Sequence, residues 1–118
     1  MKNLLIVDDD PILRELLVKE LERVRYSCIE AGHADEAWEK ISSNSIDCVI
    51  SDLAMTEGSG FDLIKRIKSS EAAKDIPIII ISGVLDFSIE KAREMGADHL
   101  LIKPFLIDEL TRVITSLE

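Results

Sequence analysis

Each of four apolar runs in the chain ends in residues that could do chemistry. Leu4-Leu5-Ile6-Val7 is followed by Asp8-Asp9-Asp10, Cys48-Val49-Ile50 by Ser51-Asp52, Ile78-Ile79-Ile80-Ile81 by Ser82-Gly83, and Leu100-Leu101-Ile102 by Lys103-Pro104. If these runs are strands of one parallel sheet, their carboxyl ends share the edge at which open α/β sheets bind ligands. Asp8, Asp9 and Asp52 converging there would repel one another, raising one or more of their pKa values. A divalent cation relieves such repulsion. Hard oxygen ligands with room for water suit Mg2+, which keeps part of its hydration shell and shares the rest with phosphoryl groups. Lys103 offers a point charge to Asp52 or to a phosphoryl oxygen. Ser82 offers a hydroxyl, and backbone N–H groups after Asp52 and Ser82 offer further donors. The set predicts a phosphoryl-transfer site with a carboxylate nucleophile.

Taken singly, each piece has a plainer explanation. Asp10 before a helical stretch is an N-cap, not a ligand. Ser-Gly after a strand is an ordinary turn, Lys-Pro a loop boundary, and Met55 a packing residue. Only their order at successive strand ends speaks for chemistry.

The elements that must position these residues follow from hydrophobic pattern. Continuous Ile- and Val-rich runs are what strands show when helices cover both faces, and Tyr26 to Ile29 is a weaker fifth run. Between the runs lie segments with helical spacing. Asp10-Pro11 opens the first, where proline suits the first helical turn, and Ile12, Leu13, Leu16, Leu17, Leu21 and Val24 predict its apolar face. Ala34, Ala37, Trp38 and Ile41 mark the second, and Phe61, Leu63, Ile64 and Ile67 the third. The fourth is expected from about Asp86 to Met95, stopped by Gly96. Leu106, Leu110, Val113 and Leu117 mark the fifth, and Ser42 to Ser45 read as a polar loop. Strand and helix alternating five times predict a doubly wound α/β fold with right-handed crossovers.

Composition narrows the function classes. The chain has 118 residues, 47% hydrophobic and 31% charged, enough for one core in a single domain spanning 1–118. A formal net charge of −9 argues against direct nucleic-acid binding. Cys28 and Cys48 sit in apolar stretches and read as buried free thiols, and His33 and His99 stand apart from them, so a zinc site has no support. No apolar run approaches the ~20 residues of a membrane span, and a cytoplasmic location is expected.

These segments resemble the response-regulator receiver family of two-component signalling along the whole chain. Leu4 to Pro11 resembles its opening acidic motif. Asp52-Leu53-Ala54-Met55 with Gly58-Ser59-Gly60-Phe61 resembles the segment around its phosphoacceptor. Pro77 to Gly83 resembles its fourth strand, and Gly96-Ala97-Asp98 leading to Lys103-Pro104-Phe105 its fifth. The resemblance implies a flavodoxin-like sheet of order 2-1-3-4-5 with five helices. It implies Asp52 as phosphoacceptor, Asp9 as a direct Mg2+ ligand, Asp8 as a ligand mostly through water, and the carbonyl of Ala54 as a further ligand. Ser82 and Lys103 would hold phosphoryl oxygens, with a cis Lys103–Pro104 peptide. The implied donor is a phosphohistidine on a sensor histidine kinase or phosphotransfer protein, for which small acyl phosphates substitute. Such a domain is no enzyme toward other substrates; it catalyses its own phosphorylation and slow dephosphorylation. Phosphate would shift the face of the fourth helix, fifth strand and fifth helix toward a downstream protein target, and that face is also a candidate dimer surface.

The sequence departs from the family at two places. Thr56 stands where proline is frequent. Leu100 stands where an aromatic residue usually reports phosphorylation, while His99 should point to the other strand face. Ala54 and Val84, at positions that tune phosphate lifetime, are apolar and predict a long-lived phosphoryl group. Two rival readings are a receiver fold that signals without phosphate and a haloacid-dehalogenase-type phosphatase using Asp8. The second would leave Asp52 without a role. A flavin-binding domain of the same topology lacks its phosphate loop after the first strand.

Overall fold

The computed structural model describes residues 3–53, 60–83 and 88–118. Five strands and five helices alternate: β1 (Asn3–Val7), α1 (Pro11–Arg23), β2 (Ser27–Ala31), α2 (Ala34–Ser43), β3 (Cys48–Asp52), α3 (Gly60–Lys68), β4 (Ile78–Ser82), α4 (Ile89–Glu94), β5 (His99–Ile102) and α5 (Ile107–Ser116). All neighbouring strands are parallel, in the order β2-β1-β3-β4-β5 that the resemblance implies.

Alternation along the strands sends side chains to two separate cores. Leu5, Val7, Val49, Ile78, Ile80 and Leu100 pack under α2, α3 and α4 through residues such as Ala37, Ile64 and Ala92. Leu4, Ile6, Ile50, Ile79, Ile81 and Leu101 pack under α1 and α5 through Val18, Leu21, Leu110 and Ile114. Both faces of β1, β3 and β4 are covered, which is why these strands read as unbroken apolar runs.

Helix ends follow their local chemistry. The Asp10 carboxylate accepts from the N–H groups of Ile12 (3.0 Å) and Leu13 (3.3 Å), so it is the cap its position predicts. His33 caps α2, its Nδ1 accepting from Glu36 N–H at 3.2 Å. After α4, Gly96 takes φ 108°, and a Cβ there would meet Lys68 Cγ at 2.9 Å, so glycine is required twice over. Among the described residues, no helix is long and apolar enough to cross a membrane.

The helix faces need correction. Ile12, Leu13, Leu16 and Val24 of the expected α1 stripe are exposed; the inward face is Arg14, Leu17, Val18 and Leu21. That set also has helical spacing, but its first member is charged, so the apolar count pointed one step round the helix. Phe61 and Leu106 are exposed too, and Ile114 rather than Val113 is fully buried in α5. Ser42 and Ser43 belong to α2 rather than to a loop. The expected start of α4 near Asp86 lies outside the described residues, as do Ala54, Met55, Thr56 and Val84. Cys28 and Cys48 are free thiols, as expected, although Cys28 is only half-buried. Both pair with Leu4 from opposite sides, two strand spacings (roughly 10 Å) apart and beyond disulfide reach.

Candidate functional site

Strand register brings the acidic residues together. Val7 pairs with Ser51, so Asp8 lies level with Asp52, and Asp52 pairs in turn with Ile81, one residue before Ser82. Asp8, Asp9 and Asp52 each present a carboxylate oxygen within 4.8 Å of the others. Lys103 Nζ lies 3.5 Å from Asp52 Oδ2, on the loop that leaves β5. The Lys103–Pro104 peptide is cis, in line with the resemblance. Ser82 is buried at the end of β4, and its carbonyl accepts from the Lys103 N–H at 2.8 Å. Five of the sequence-predicted site residues thus share one sheet edge; the sixth, Ala54, is outside the described residues.

The loop after β1 is held on several sides. Asp8 N–H donates to Ala31 O (3.1 Å), and Asp8 Oδ1 accepts from Asp10 N–H (2.9 Å). The Arg14 guanidinium, which the sequence reading passed over, donates from Nη1 to the Asp8 carbonyl at 2.6 Å. Nothing in the sequence marks it, because an arginine in a surface helix reads as a solvated charge.

Electrostatics at Asp52 are mixed. Burial pushes its carboxyl above the usual range; Lys103 pulls it down, Asp8 pushes it up again, and the Leu53 N–H pulls it down, with burial winning. A clustered, partly desolvated set of three carboxylates, without histidine or cysteine, has the donor chemistry of a hard cation such as Mg2+. One Asp8 oxygen closes its own turn by accepting from the Asp10 N–H.

Beside the carboxylates runs a groove of about 280 Å3, lined by Asp8, Leu13, Leu17, Ile81, Lys103, Pro104 and Phe105. Its α1 wall joins the exposed Leu13 to Leu17, which packs against the core.

Comparison with known proteins decides the family. The family profile of the response regulator receiver domain matches residues 4–115. The chain belongs to this family. It is 37% identical over 111 residues to the phosphate regulon transcriptional regulatory protein PhoB of Pseudomonas aeruginosa, covering 92% of this chain and 48% of that protein. The chain therefore spans about half the length of that regulator. It is 36% identical over 107 residues to the chemotaxis protein CheY1 of Helicobacter pylori, covering 86% of this chain and 85% of that one. Among solved structures, the response regulator TrrA of Thermotoga maritima, in complex with Mg2+-BeF, superposes with a TM-score of 0.89 at 33% identity over the full length of both chains. Receiver domains of this family act in two-component signalling by taking a phosphoryl group onto an aspartate, and they interact with histidine kinases and downstream effectors.

Proposed function

We propose that Asp52 is the phosphoacceptor, that Asp8 and Asp9 join it in holding Mg2+, and that residues 1–118 act as one receiver unit in the cytoplasm. One observation carries this reading: three carboxylates within 4.8 Å of one another, with the Lys103 ammonium 3.5 Å from Asp52. Asp9 and Asp52 would ligate the ion directly and Asp8 through water, with the carbonyl of Ala54 as a further ligand. When bound, the ion supplies neutralisation of charge on the transferring phosphoryl oxygens.

In the transfer, an Asp52 oxygen forms the bond to phosphorus as the bond to the donor's imidazole nitrogen breaks. The electron pair of that bond leaves with the nitrogen. Lys103 exchanges its contact with Asp52 for a phosphoryl oxygen, and the Ser82 hydroxyl donates to another. The domain thereby promotes its own phosphorylation and, more slowly, hydrolysis of the product. Apolar residues at 54 and 84 position no attacking water, so the phosphorylated state is long-lived; hydrolysis within seconds in the isolated domain would contradict this.

The donor needs a surface beside the site. Leu13 lines the groove next to the carboxylates, and Ile12 (70% exposed) and Leu16 on the same helix and Leu106 (68% exposed), next to Phe105, are exposed apolar residues. An apolar helical face of a kinase or phosphotransfer protein would bury them while presenting its phosphohistidine to Asp52. Output through α4, β5 and α5 has no aromatic side chain at the usual switch position, which Leu100 fills from within the core. The hydrogen bond from Lys103 N–H to the Ser82 carbonyl is a backbone route by which movement at Ser82 would reach β5. The same face is the place for a dimer contact.

The test is intact-mass spectrometry after incubation with acetyl phosphate and Mg2+. A hydroxylamine-sensitive phosphoryl adduct on wild type, absent with EDTA and in Asp52→Asn, is the expected result. No adduct on wild type would leave a phosphate-independent interaction module as the better reading.

A further inference from the structure

The inward face of α1 contains a charged residue where an aliphatic one would be expected. Arg14, Leu17, Val18 and Leu21 have the spacing of a core-facing stripe, and the Arg14 side chain is 19% exposed. Its guanidinium spans two elements. Nη1 donates to the Asp8 carbonyl at 2.6 Å, while Nε donates to Glu30 Oε1 at 3.0 Å. Glu30 pairs with Ile6 across β2 and β1, which turns its side chain toward α1. Gly32, just after β2, lies beside the guanidinium: a Cβ there would make an ordinary van der Waals contact with Arg14 Nη1 at 3.4 Å.

We propose that Arg14 is a positioning residue for the metal site, fixing the backbone that carries Asp8 and Asp9 while Glu30 neutralises its charge. The inference rests on the metal-site reading above. A bare guanidinium this close to the acidic pair would repel a divalent cation. Paired with Glu30, it contributes the rigidity of a two-directional fork with little of the opposing charge. Groups that hold ligands from behind in this way typically contribute about 10- to 100-fold in metal affinity.

The two effects of Arg14 have opposite signs, which makes the role measurable. Charge alone predicts that removing a cation tightens Mg2+ binding; positioning predicts that binding weakens. Mg2+ affinity is measured by isothermal titration calorimetry on wild type, Arg14→Met and Arg14→Lys, each shown to melt cooperatively. Arg14→Met keeps the packing stem and loses the donors. Its affinity should fall about 10-fold, at the low end of that range. Arg14→Lys, which can reach one partner but not both, should fall between. Acetyl phosphate labelling of Arg14→Met should need more Mg2+ yet approach the wild-type maximal rate once the ion saturates. Unchanged or tighter binding by folded Arg14→Met would overturn the positioning role while leaving the metal site standing. Absence of Mg2+ binding by wild type would instead remove the metal-site reading, and this inference with it.

Discussion

At the scale of single residues, Asp52 is tuned by opposing forces, and its titration has a consequence for stability. Its carboxyl holds a proton more tightly in the folded chain than at the ordinary value of 3.8, chiefly because it is partly desolvated. The resulting stabilisation is fully present below the ordinary value and is lost as pH rises through the raised one. At neutral pH without Mg2+ the charged Asp52 therefore opposes folding. Asp52→Asn should have a higher denaturation midpoint than wild type at pH 7, the gap closing as pH falls toward 3.8. A destabilised Asp52→Asn at pH 7 would show instead that the Lys103 contact outweighs desolvation. Cys28 offers a second check at this scale. Burial, aided by Glu22 and Glu30, pushes its thiol up to about 11, so at pH 8 roughly a thousandth is thiolate. Iodoacetamide should modify the folded protein far more slowly than the denatured one.

At the scale of elements, neighbouring aspartates have separate jobs. Asp10 caps α1 through two backbone N–H groups, so Asp10→Ala should lower stability by about 1 kcal/mol in urea denaturation. Labelling by acetyl phosphate should be retained, in contrast to Asp52→Asn. Elements with a single physical cause were the legible ones. Runs such as Ile78 to Ile81 are apolar because both faces are buried, and pattern alone reveals that. The order of strands came only from resemblance, because pattern does not say which strand pairs with which. Faces of α1 were misread for a physical reason. Leu13 and Leu16 are apolar without being core residues, and Arg14 faces inward without being apolar. Periodicity counts apolar side chains and does not tell a surface kept for a partner from one kept for the sheet. The acidic cluster was legible because strand ends converge whatever the helices do, whereas Arg14 acts through a backbone carbonyl, a partner that leaves no trace in spacing.

At the scale of the whole molecule, the sheet edge joins two surfaces with different purposes. One is the carboxylate cluster with Lys103; the other is the apolar rim of α1 and the loop before α5. The fold keeps them adjacent because α1 starts directly after the acidic loop and α5 directly after the Lys103 loop. They should therefore separate by mutation. Leu16→Asp, at a position 55% exposed, should change stability by no more than about 0.5 kcal/mol and leave acetyl phosphate labelling intact. Phosphotransfer from a histidine kinase should fall about 10-fold or more, as for loss of an interface anchor. Equal transfer to Leu16→Asp and wild type would place the donor elsewhere.

The central claim is that Asp52, and no other carboxylate of the cluster, receives the phosphoryl group. Borohydride reduction of the phosphorylated protein, followed by peptide mass mapping, reads this directly, since an aspartyl phosphate is reduced to homoserine while free carboxylates are untouched. Homoserine in place of Asp52 alone is expected. Conversion at Asp8 or Asp9, with Asp52 unchanged, would contradict it and turn attention to a phosphatase-like use of the first strand's acidic end.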